Sequence, residues 1–358
     1  MPFWRSLSLV VSMLLCGWQA TAAGNDTVNQ AILDAVADGR LSGLHSVLVL
    51  HNGEVFAEAY SPGADQAWGD DLGEVQHGPD TLHDLRSVTK SVVGLLYGIA
   101  LADGKVPPPS ASLYAQFPEY ADLGQDPAKQ RITVADALTM RMGLAWDERS
   151  ISYRNRRNGE IAMEWAKDRY RYVLQQAVVE PPGAVWRYSG GASTLIGRLI
   201  EKGTGMRLDA YAEAKLFAPL GISAFQWTGR GNKEPSAASG LRISAHGLAR
   251  IGEMIVAGGR WHGQQIVPVT WLEELQTPKA DLAGGLRYSY HWYLPGRADP
   301  ARWMAGFGNG GQRLTVQPKQ GLVYVIFTGN YDKPDAWKVP NSVILDFIVP
   351  ALRQKLGR

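Results

Sequence analysis

Apolar and polar residues alternate in two stretches near the beginning of the chain and in two stretches near its end. The first pair lies in SVLVLHNGEVFAEAY and flanks Asn52-Gly53, a dipeptide typical of a two-residue hairpin turn. The second pair lies in GGQRLTVQPKQGLVYVIFTGNY. We therefore predict strands at both ends of the chain and expect them to form one antiparallel sheet.

Helical periodicity is found in several further segments, most of them between the two strand-rich ends. The predicted helices are residues 28–37, 87–103, 134–140, 194–202, 208–216 and 342–356. This order predicts an α+β protein with a central antiparallel sheet flanked by helices and a largely helical insertion. The α/β part is placed at about residues 24–86 and 240–358, and the helical part at about 87–239.

The first 23 residues have the pattern of a secretory signal peptide. Arg5 precedes an apolar stretch from Leu7 to Leu15, and small residues follow at Ala20, Ala22 and Ala23. An apolar core of about ten residues is too short for a membrane-spanning helix, which needs roughly 20. We expect cleavage near Ala22 or Ala23 and export to the periplasm or beyond, with no stable membrane span in the mature protein.

Composition narrows the possible functions further. Cys16 is the only cysteine. A lipoprotein signal usually has a small residue just before its cysteine, and this chain has Leu15 there, so lipidation is the less favoured interpretation. After signal cleavage no cysteine remains for a disulfide, a nucleophile or a thiolate metal site. The 36 basic and 34 acidic residues are interspersed, with no long run of one sign, which argues against a nucleic-acid partner.

The segment SVTK, residues 87–90, begins a helix that is apolar nearly all round from Val92 to Ala102 and ends at Gly104. A helix of this kind must be buried. Ser87 and Lys90 lie three residues apart and share one helix face. A serine needs a base to become a nucleophile, and a lysine serves when burial and a helix N-terminus lower its pKa. By itself this short motif also fits a serine helix cap followed by a solvated lysine.

Signatures of other hydrolases are missing from the sequence. No serine lies in a G-x-S-x-G turn, and the seven histidines are scattered without a metal-ligand spacing such as H-E-x-x-H. We therefore expect neither a metal nor an organic cofactor. The histidines are interpreted as structural or exposed.

SVTK, together with ITVADALTMRMGLAWDE, EPPGAVWRYSGGASTLIGRLIEKGTG and LFAPLGI, resembles the serine β-lactamase and penicillin-binding superfamily. Within it, MGLAWDE, RYSGG, AASGLRISAHGLARIG and GNGGQ are most similar to the branch that contains 6-aminohexanoate-dimer hydrolase. The resemblance covers most of the chain after residue 40. It implies a β-lactamase/transpeptidase-like fold, which agrees with the predicted sheet and helical insertion.

The resemblance also implies residue roles. Ser87 would be acylated, Lys90 would be its partner, and Tyr188 matches the tyrosine of the Y-x-N motif. Tyr188 would lose its proton, accept the proton of Ser87 and pass it to the leaving group, with Lys90 stabilising the phenolate. The backbone N–H groups of Ser87 and roughly Asn309 would form the oxyanion hole. Substrate contacts are expected at Trp186, Gly190, Gly308 and Gly310.

Two departures from the family pattern keep several functions open. Gly190 replaces the asparagine of Y-x-N, and no K-T-G or H-T-G triplet is present. The favoured hypothesis is an exported esterase or amidase acting on a small-molecule or peptide-like substrate. The alternatives are a D,D-peptidase, a β-lactam-binding protein and a non-catalytic penicillin-binding-like sensor. The sequence does not determine the oligomeric state.

Overall fold

The computed structural model describes residues 26–230, 234–297, 299 and 302–357. The proposed signal peptide, its cleavage site and Cys16 lie outside the described residues. Among the residues that are described, no helix is both long enough and apolar enough to cross a membrane.

A large antiparallel sheet of eight strands forms the centre of the molecule, in the order β10-β11-β12-β13-β14-β15-β1-β2. The strands are β1 Leu44–His51, β2 Glu54–Tyr60, β3 Gly63–Ala67, β4 Asp70–Val75, β5 His83–Asp84, β6 Phe225–Trp227, β7 Leu241–Ile243, β8 Arg260–Trp261, β9 Gln264–Gln265, β10 Ala280–Asp281, β11 Arg287–Ser289, β12 Trp292–Leu294, β13 Met304–Gly308, β14 Gln312–Gln317 and β15 Leu322–Thr328. The first and last strands of the chain pair directly, β1 with β15, which confirms the prediction that both ends build one sheet.

The predicted hairpin turn is also confirmed. Asn52 and Gly53 have φ values of 54° and 81°, and they connect β1 to β2 with His51 opposite Glu54. Both central residues of a type I′ turn require positive φ, which asparagine and glycine tolerate best.

Most α-helices lie between β5 and β10. The α-helices are α1 Asp26–Ala37, α2 Val88–Ala102, α3 Pro127–Gln130, α4 Val134–Leu138, α5 Gly159–Trp165, α6 Arg169–Leu174, α7 Gly190–Thr204, α8 Leu208–Ala212, α9 Ala245–Val256, α10 Val269–Gln276, α11 Lys338–Ser342 and α12 Val349–Lys355. Short 3₁₀ helices occur at Tyr114–Gln116, Pro118–Gln125 and Pro318–Gln320, and π-helical turns at Glu213–Phe217 and Val343–Ile348.

Two helix predictions differ from the structure in a way that has a physical reason. The helix predicted at residues 194–202 begins earlier, at Gly190, because the Ser189 hydroxyl accepts a hydrogen bond from the Ala192 N–H and caps it. The C-terminal helical segment begins at Lys338 and changes to a π-turn at Val343–Ile348. Pro350 follows that turn and cannot donate a backbone hydrogen bond to the preceding turn.

The two faces of the sheet bury different helices, as the alternation of apolar residues in β1 requires. Leu48 and Leu50 belong to the larger core, which contains the apolar side chains of α2, α7 and α9. Val47 and Val49 point to the opposite face and pack with residues of α1 and α12. The helix α2 is buried from Val88 to Ala100, as its apolar sequence predicted.

Gly98 of α2 packs directly against the Trp271 indole. A Cβ atom at Gly98 would lie 2.0 Å from Trp271 Cδ1, and the Trp271 indole is held by its hydrogen bond to the Gly94 carbonyl. We expect Gly98→Ala to lower the free energy of unfolding by about 1–3 kcal/mol through overpacking, although alanine favours helix. The matched control is Gly124→Ala, whose Cβ would meet its nearest neighbour at 3.8 Å. Equal urea midpoints for Gly98→Ala and the unmodified protein would contradict this packing.

Candidate active site

Ser87 immediately precedes α2 and leaves its hydroxyl free, since that side chain makes no helix-capping hydrogen bond. The residue before it, Arg86, has a φ of 47°, a conformation rare for a side chain of this size. The Arg86 guanidinium is fixed by Asp84 at 3.0 Å and by Gln66 at 3.0 Å. These contacts of its side chain can hold Arg86 in a strained backbone conformation next to Ser87.

Ser87, Lys90 and Tyr188 lie together, although Tyr188 is about a hundred residues away in sequence. The Lys90 ammonium donates to Ser87 Oγ at 3.0 Å and to the Ala238 carbonyl at 2.8 Å. Its Nζ lies 4.9 Å from the centroid of the Tyr188 ring. The helical spacing of Ser87 and Lys90 predicted their contact, whereas the position of Tyr188 rested on the family resemblance.

The Tyr188 hydroxyl is neutral in the resting protein. Burial raises its pKa well above the usual value of 10, and the neighbouring Ser87 hydroxyl offsets only part of that effect. The phenolate expected during the reaction would therefore form against this effect of burial, and that role of Tyr188 stays a prediction. A neutral phenol can still donate a proton to a leaving group.

Two buried glutamates, Glu148 and Glu160, adjoin Lys90 and were not identified from the sequence. Glu160 Oε2 lies 3.3 Å and Glu148 Oε1 3.8 Å from Lys90 Nζ. Glu148 stands at the end of the MGLAWDE motif, whose glutamate was a usable signal. Glu160 gave no such signal, since an acidic residue just after the Asn158 helix cap is ordinary.

The two carboxyl groups share one proton. Burial, followed by the charge of Glu160, raises the pKa of Glu148 to about 8. Burial also opposes ionisation of Glu160, but the Lys90 charge and hydrogen bonds from Glu148 and Ser239 outweigh it, so the pKa of Glu160 is lowered. At neutral pH Glu148 is therefore protonated and Glu160 carries the negative charge that faces Lys90.

Further donors hold this carboxyl pair in position. Trp146 Nε1 donates to Glu148 Oε2 at 2.8 Å, and the backbone N–H of Gly190 donates to the same oxygen at 2.5 Å. Ser239 Oγ donates to Glu160 Oε1 at 2.5 Å. Buried charges need such complete partner sets to be tolerated.

The glycine that replaces the asparagine of Y-x-N now has a structural reason. A Cβ atom at Gly190 would lie 2.7 Å from Glu160 Oε2 and 3.2 Å from the Ala238 Cβ. The space that a side chain would need beside Lys90 is therefore filled by Glu160. Gly190 is buried against the carboxyl pair, not at the wall of the cleft, so the structure gives no support to its expected contact with substrate.

The cleft above Ser87 has a volume of about 450 Å³. Aromatic and charged side chains share its walls, which are formed by Ser87, Glu148, Arg149, Ile151, Ser152, Tyr153, Tyr188, Tyr293, Phe307, Gly308, Asn309, Asp332, Lys333 and Pro334. A site of this size admits a small ligand with both apolar and polar parts.

The predicted oxyanion segment lies beside the nucleophile. Gly308 and Asn309 line the cleft with Ser87. A Cβ at Gly308 would lie 2.4 Å from the Leu85 carbonyl oxygen, so glycine lets β13 approach the nucleophile turn closely. The side chain of Asn309 is occupied by Asp332, to which its amide donates at 2.8 Å. Its backbone N–H remains the predicted second donor.

Gly310 and Trp186 lie outside the cleft walls. Gly310 has a φ of 94° and forms the turn between β13 and β14, where a Cβ would meet Tyr331 at 2.8 Å. Trp186 packs behind Tyr188 with a ring-centroid distance of 6.0 Å and lines a neighbouring cavity. We therefore find these two residues placed to support the site, and direct contact with substrate stays a prediction.

Comparison with known proteins agrees with this geometry. The model of the Beta-lactamase family matches residues 28–344. The 6-aminohexanoate-dimer hydrolase of Paenarthrobacter ureafaciens is 26% identical over 336 residues, covering 84% of this chain and 76% of that protein.

Solved structures with the same fold include EstCE1, a hydrolase with promiscuous acyltransferase activity, at 15% identity and a TM-score of 0.69, covering 89% of this chain and 97% of that one. The D-alanine carboxypeptidase AmpC of Burkholderia cenocepacia has 16% identity and a TM-score of 0.64, with coverages of 89% and 97%. The family match spans the sheet, the helix α2 and the carboxyl pair, and so this chain belongs to the Beta-lactamase family.

Proposed function

We propose that this protein is an exported hydrolase that cleaves an ester or amide bond through an acyl-enzyme on Ser87. The observation that carries the proposal is the 3.0 Å contact between Lys90 Nζ and Ser87 Oγ inside a cleft shared with Tyr188. A nucleophile within hydrogen-bond reach of a base that other groups orient is the arrangement that covalent catalysis requires.

In the proposed reaction, Ser87 Oγ attacks the carbonyl carbon of the substrate and its proton passes to Lys90 Nζ. The neutral Tyr188 phenol donates a proton to the leaving amine or alkoxide and is reprotonated from Lys90. Water then attacks the acyl-enzyme by the reverse sequence and releases the acid. The N–H groups of Ser87 and Asn309 hold the oxyanion in both steps.

The carboxyl pair makes the lysine usable as a base. Lys90 must be a neutral amine when it accepts the serine proton. Transfer of one proton from Lys90 to Glu160, across 3.3 Å, converts two buried charges into two neutral groups. Burial penalises both charged forms, which favours this transfer relative to the same pair in water. Glu148 and Glu160 thus act through Lys90 as positioning residues.

The cleft walls indicate the substrate class. Tyr153, Tyr293 and Phe307 offer apolar surface, whereas Arg149 and Lys333 offer positive charge at the same cleft. We propose a small substrate with an aliphatic or aromatic acyl group and a polar or anionic end. The relative of 26% identity is named for hydrolysis of 6-aminohexanoate dimer, a compound of this general kind.

Export is proposed from the sequence of the first 23 residues, with cleavage near Ala22 or Ala23. The N-terminal sequence of protein recovered from a periplasmic extract tests it directly. A mature terminus at residues 23–24 supports export. An intact Met1 in a cytosolic fraction would contradict it.

Ser87→Ala should abolish both covalent labelling and turnover. Purified protein is treated with a fluorophosphonate, its intact mass is read, and hydrolysis of a short p-nitrophenyl ester is followed in parallel. The exposed residue Ser110 supplies the matched control Ser110→Ala, which should retain one adduct and full turnover. Adducts of equal yield in Ser87→Ala and the unmodified protein would remove Ser87 as the nucleophile.

The same assay separates the alternatives. A sensor or β-lactam-binding protein gives one stoichiometric burst and then stops, whereas a hydrolase continues to turn over. Release of D-alanine from a peptidoglycan peptide, without ester turnover, would favour a D,D-peptidase. Steady ester or amide turnover favours the proposed function.

Glu160→Gln should lower kcat by about 10²-fold with little change in KM, the effect expected when a catalytic group loses its orientation. The substitution removes the charge that faces Lys90 but keeps the volume of the side chain. Glu164→Gln is the matched control, since Glu164 lies in the same helix, is also buried, and interacts with Ser236 and Arg169. Equal kcat values for the two variants would reject the positioning role.

The raised pKa of Glu148 also predicts a pH dependence of stability. Between pH 4.5, its usual pKa, and about 8, folded Glu148 keeps a proton that the unfolded chain releases. The folded state then binds more protons, so this group lowers stability as pH rises through that window. Urea unfolding should show that the free energy of unfolding of Glu148→Gln rises relative to that of the unmodified protein as pH increases between those values. If the difference between the two free energies of unfolding does not change with pH, the raised pKa of Glu148 is contradicted.

A further inference from the structure

Three histidines that are far apart in sequence meet where β1, the hairpin β3–β4 and β5 adjoin. His45 lies in β1, His77 follows β4, and His83 lies in β5. Their ring centroids are separated by 4.1, 5.2 and 5.5 Å, and one ring nitrogen from each lies within 4.8 Å of the others. We call these three residues the histidine cluster.

A hydrogen bond joins two rings of the histidine cluster. His83 Nδ1 lies 3.1 Å from the Asp84 carbonyl oxygen and donates to it, so His83 Nε2 accepts the hydrogen bond that His45 Nδ1 donates across 3.0 Å. A bound metal ion would take the place of the proton between these two nitrogens. His77 has no side-chain hydrogen-bond partner, and its ring faces the Gly63 backbone.

A carboxylate, that of Asp65, adjoins the histidine cluster beside His83. Asp65 Oδ1 lies 3.5 Å from His83 Nε2, and the buried Asp65 Oδ2 has no hydrogen-bond partner, although Arg242 approaches it to 3.8 Å. The Tyr331 hydroxyl donates to Asp65 Oδ1 at 2.7 Å. Outer hydrogen bonds of this kind commonly orient metal-ligating carboxylates.

Two glycines make room for the His45 ring. A Cβ atom at Gly63 would lie 2.6 Å from His45 Nε2, and one at Gly329 would lie 2.6 Å from His45 Cε1. Phe327 stacks on the His83 ring with centroids 4.7 Å apart. Two glycines and an aromatic ring thus form a cradle for the histidine cluster, although no catalytic role accounts for it.

We propose that His45, His77, His83 and Asp65 bind one divalent transition-metal ion, and that Zn²⁺ fits this donor set best. Three imidazoles and one carboxylate are a common tetrahedral zinc set. Zn–N bonds of about 2.0–2.1 Å place tetrahedral ligand atoms about 3.4 Å apart. The histidine nitrogens, which lie within 4.8 Å of one another, therefore have to approach by up to about 1.4 Å, and Asp65 has to turn toward them, when the ion binds.

The proposed site is separate from the acyl-enzyme site and has a structural role. None of its four residues belongs to the cleft walls that the structure describes around Ser87. An ion there would cross-link β1, β3 and β5, and β5 ends three residues before Ser87. The chain has a single cysteine, so no disulfide within the chain can supply such a cross-link.

The test uses full-length mature protein without a histidine tag, stripped with a chelator and titrated with ZnCl₂ in a calorimeter. We expect one equivalent of zinc to bind and the melting temperature to rise with zinc concentration. His77→Ala changes a half-buried residue that lies outside the helices and strands. It should bind zinc at least about tenfold more weakly, since loss of even an outer partner costs about 10–100-fold.

His262→Asn is the matched control because His262 is exposed, lies outside the cluster and has a φ of 46°, which asparagine tolerates. It should bind zinc as the unmodified protein does. Cobalt should give the intense visible bands of a tetrahedral site in the control and lose them in His77→Ala. Absence of binding and of any melting shift, or equal affinities for His77→Ala and His262→Asn, would overturn the proposal.

Discussion

The burial of Lys90 is the constraint on which the rest of the catalytic region depends. Its side chain is fully enclosed at the start of α2, where an unpaired ammonium would be too costly. Lys90 Nζ donates hydrogen bonds to the Ala238 carbonyl, the Ser87 hydroxyl and the Glu160 carboxylate, which surround it. Groups from loops and helices that are remote in sequence therefore meet around the Lys90 side chain.

That constraint explains the departure from the family pattern at Gly190. An asparagine there would occupy the space beside Lys90 that Glu160 fills in this protein. The protein replaces one neutral amide by two carboxyl groups that share a proton, and the Gly190 N–H donates to one of them. Glu160 of α5 thus occupies the space beside Gly190 and supplies a charge that contacts Lys90.

The segment from His83 to Lys90 connects the catalytic centre to the histidine cluster. His83 and Asp84 form β5, Arg86 carries the strained backbone, and Ser87 follows. Asp84 binds both Arg86 and Arg242, so the strain before the nucleophile is supported by ion pairs from the neighbouring β7. The ion pairs of Asp84 thus tie β5 to the turn that precedes Ser87.

The sequence by itself determined the features that depend on neighbouring residues. The Asn52-Gly53 hairpin, the buried helix and the contact of Ser87 with Lys90 follow from local periodicity and turn chemistry. Tertiary structure alone decided which distant groups surround Lys90 and which histidines meet. Glu160 and His45 carry no local signal, because their partners lie on other elements and a contact between elements leaves no fixed spacing in the chain.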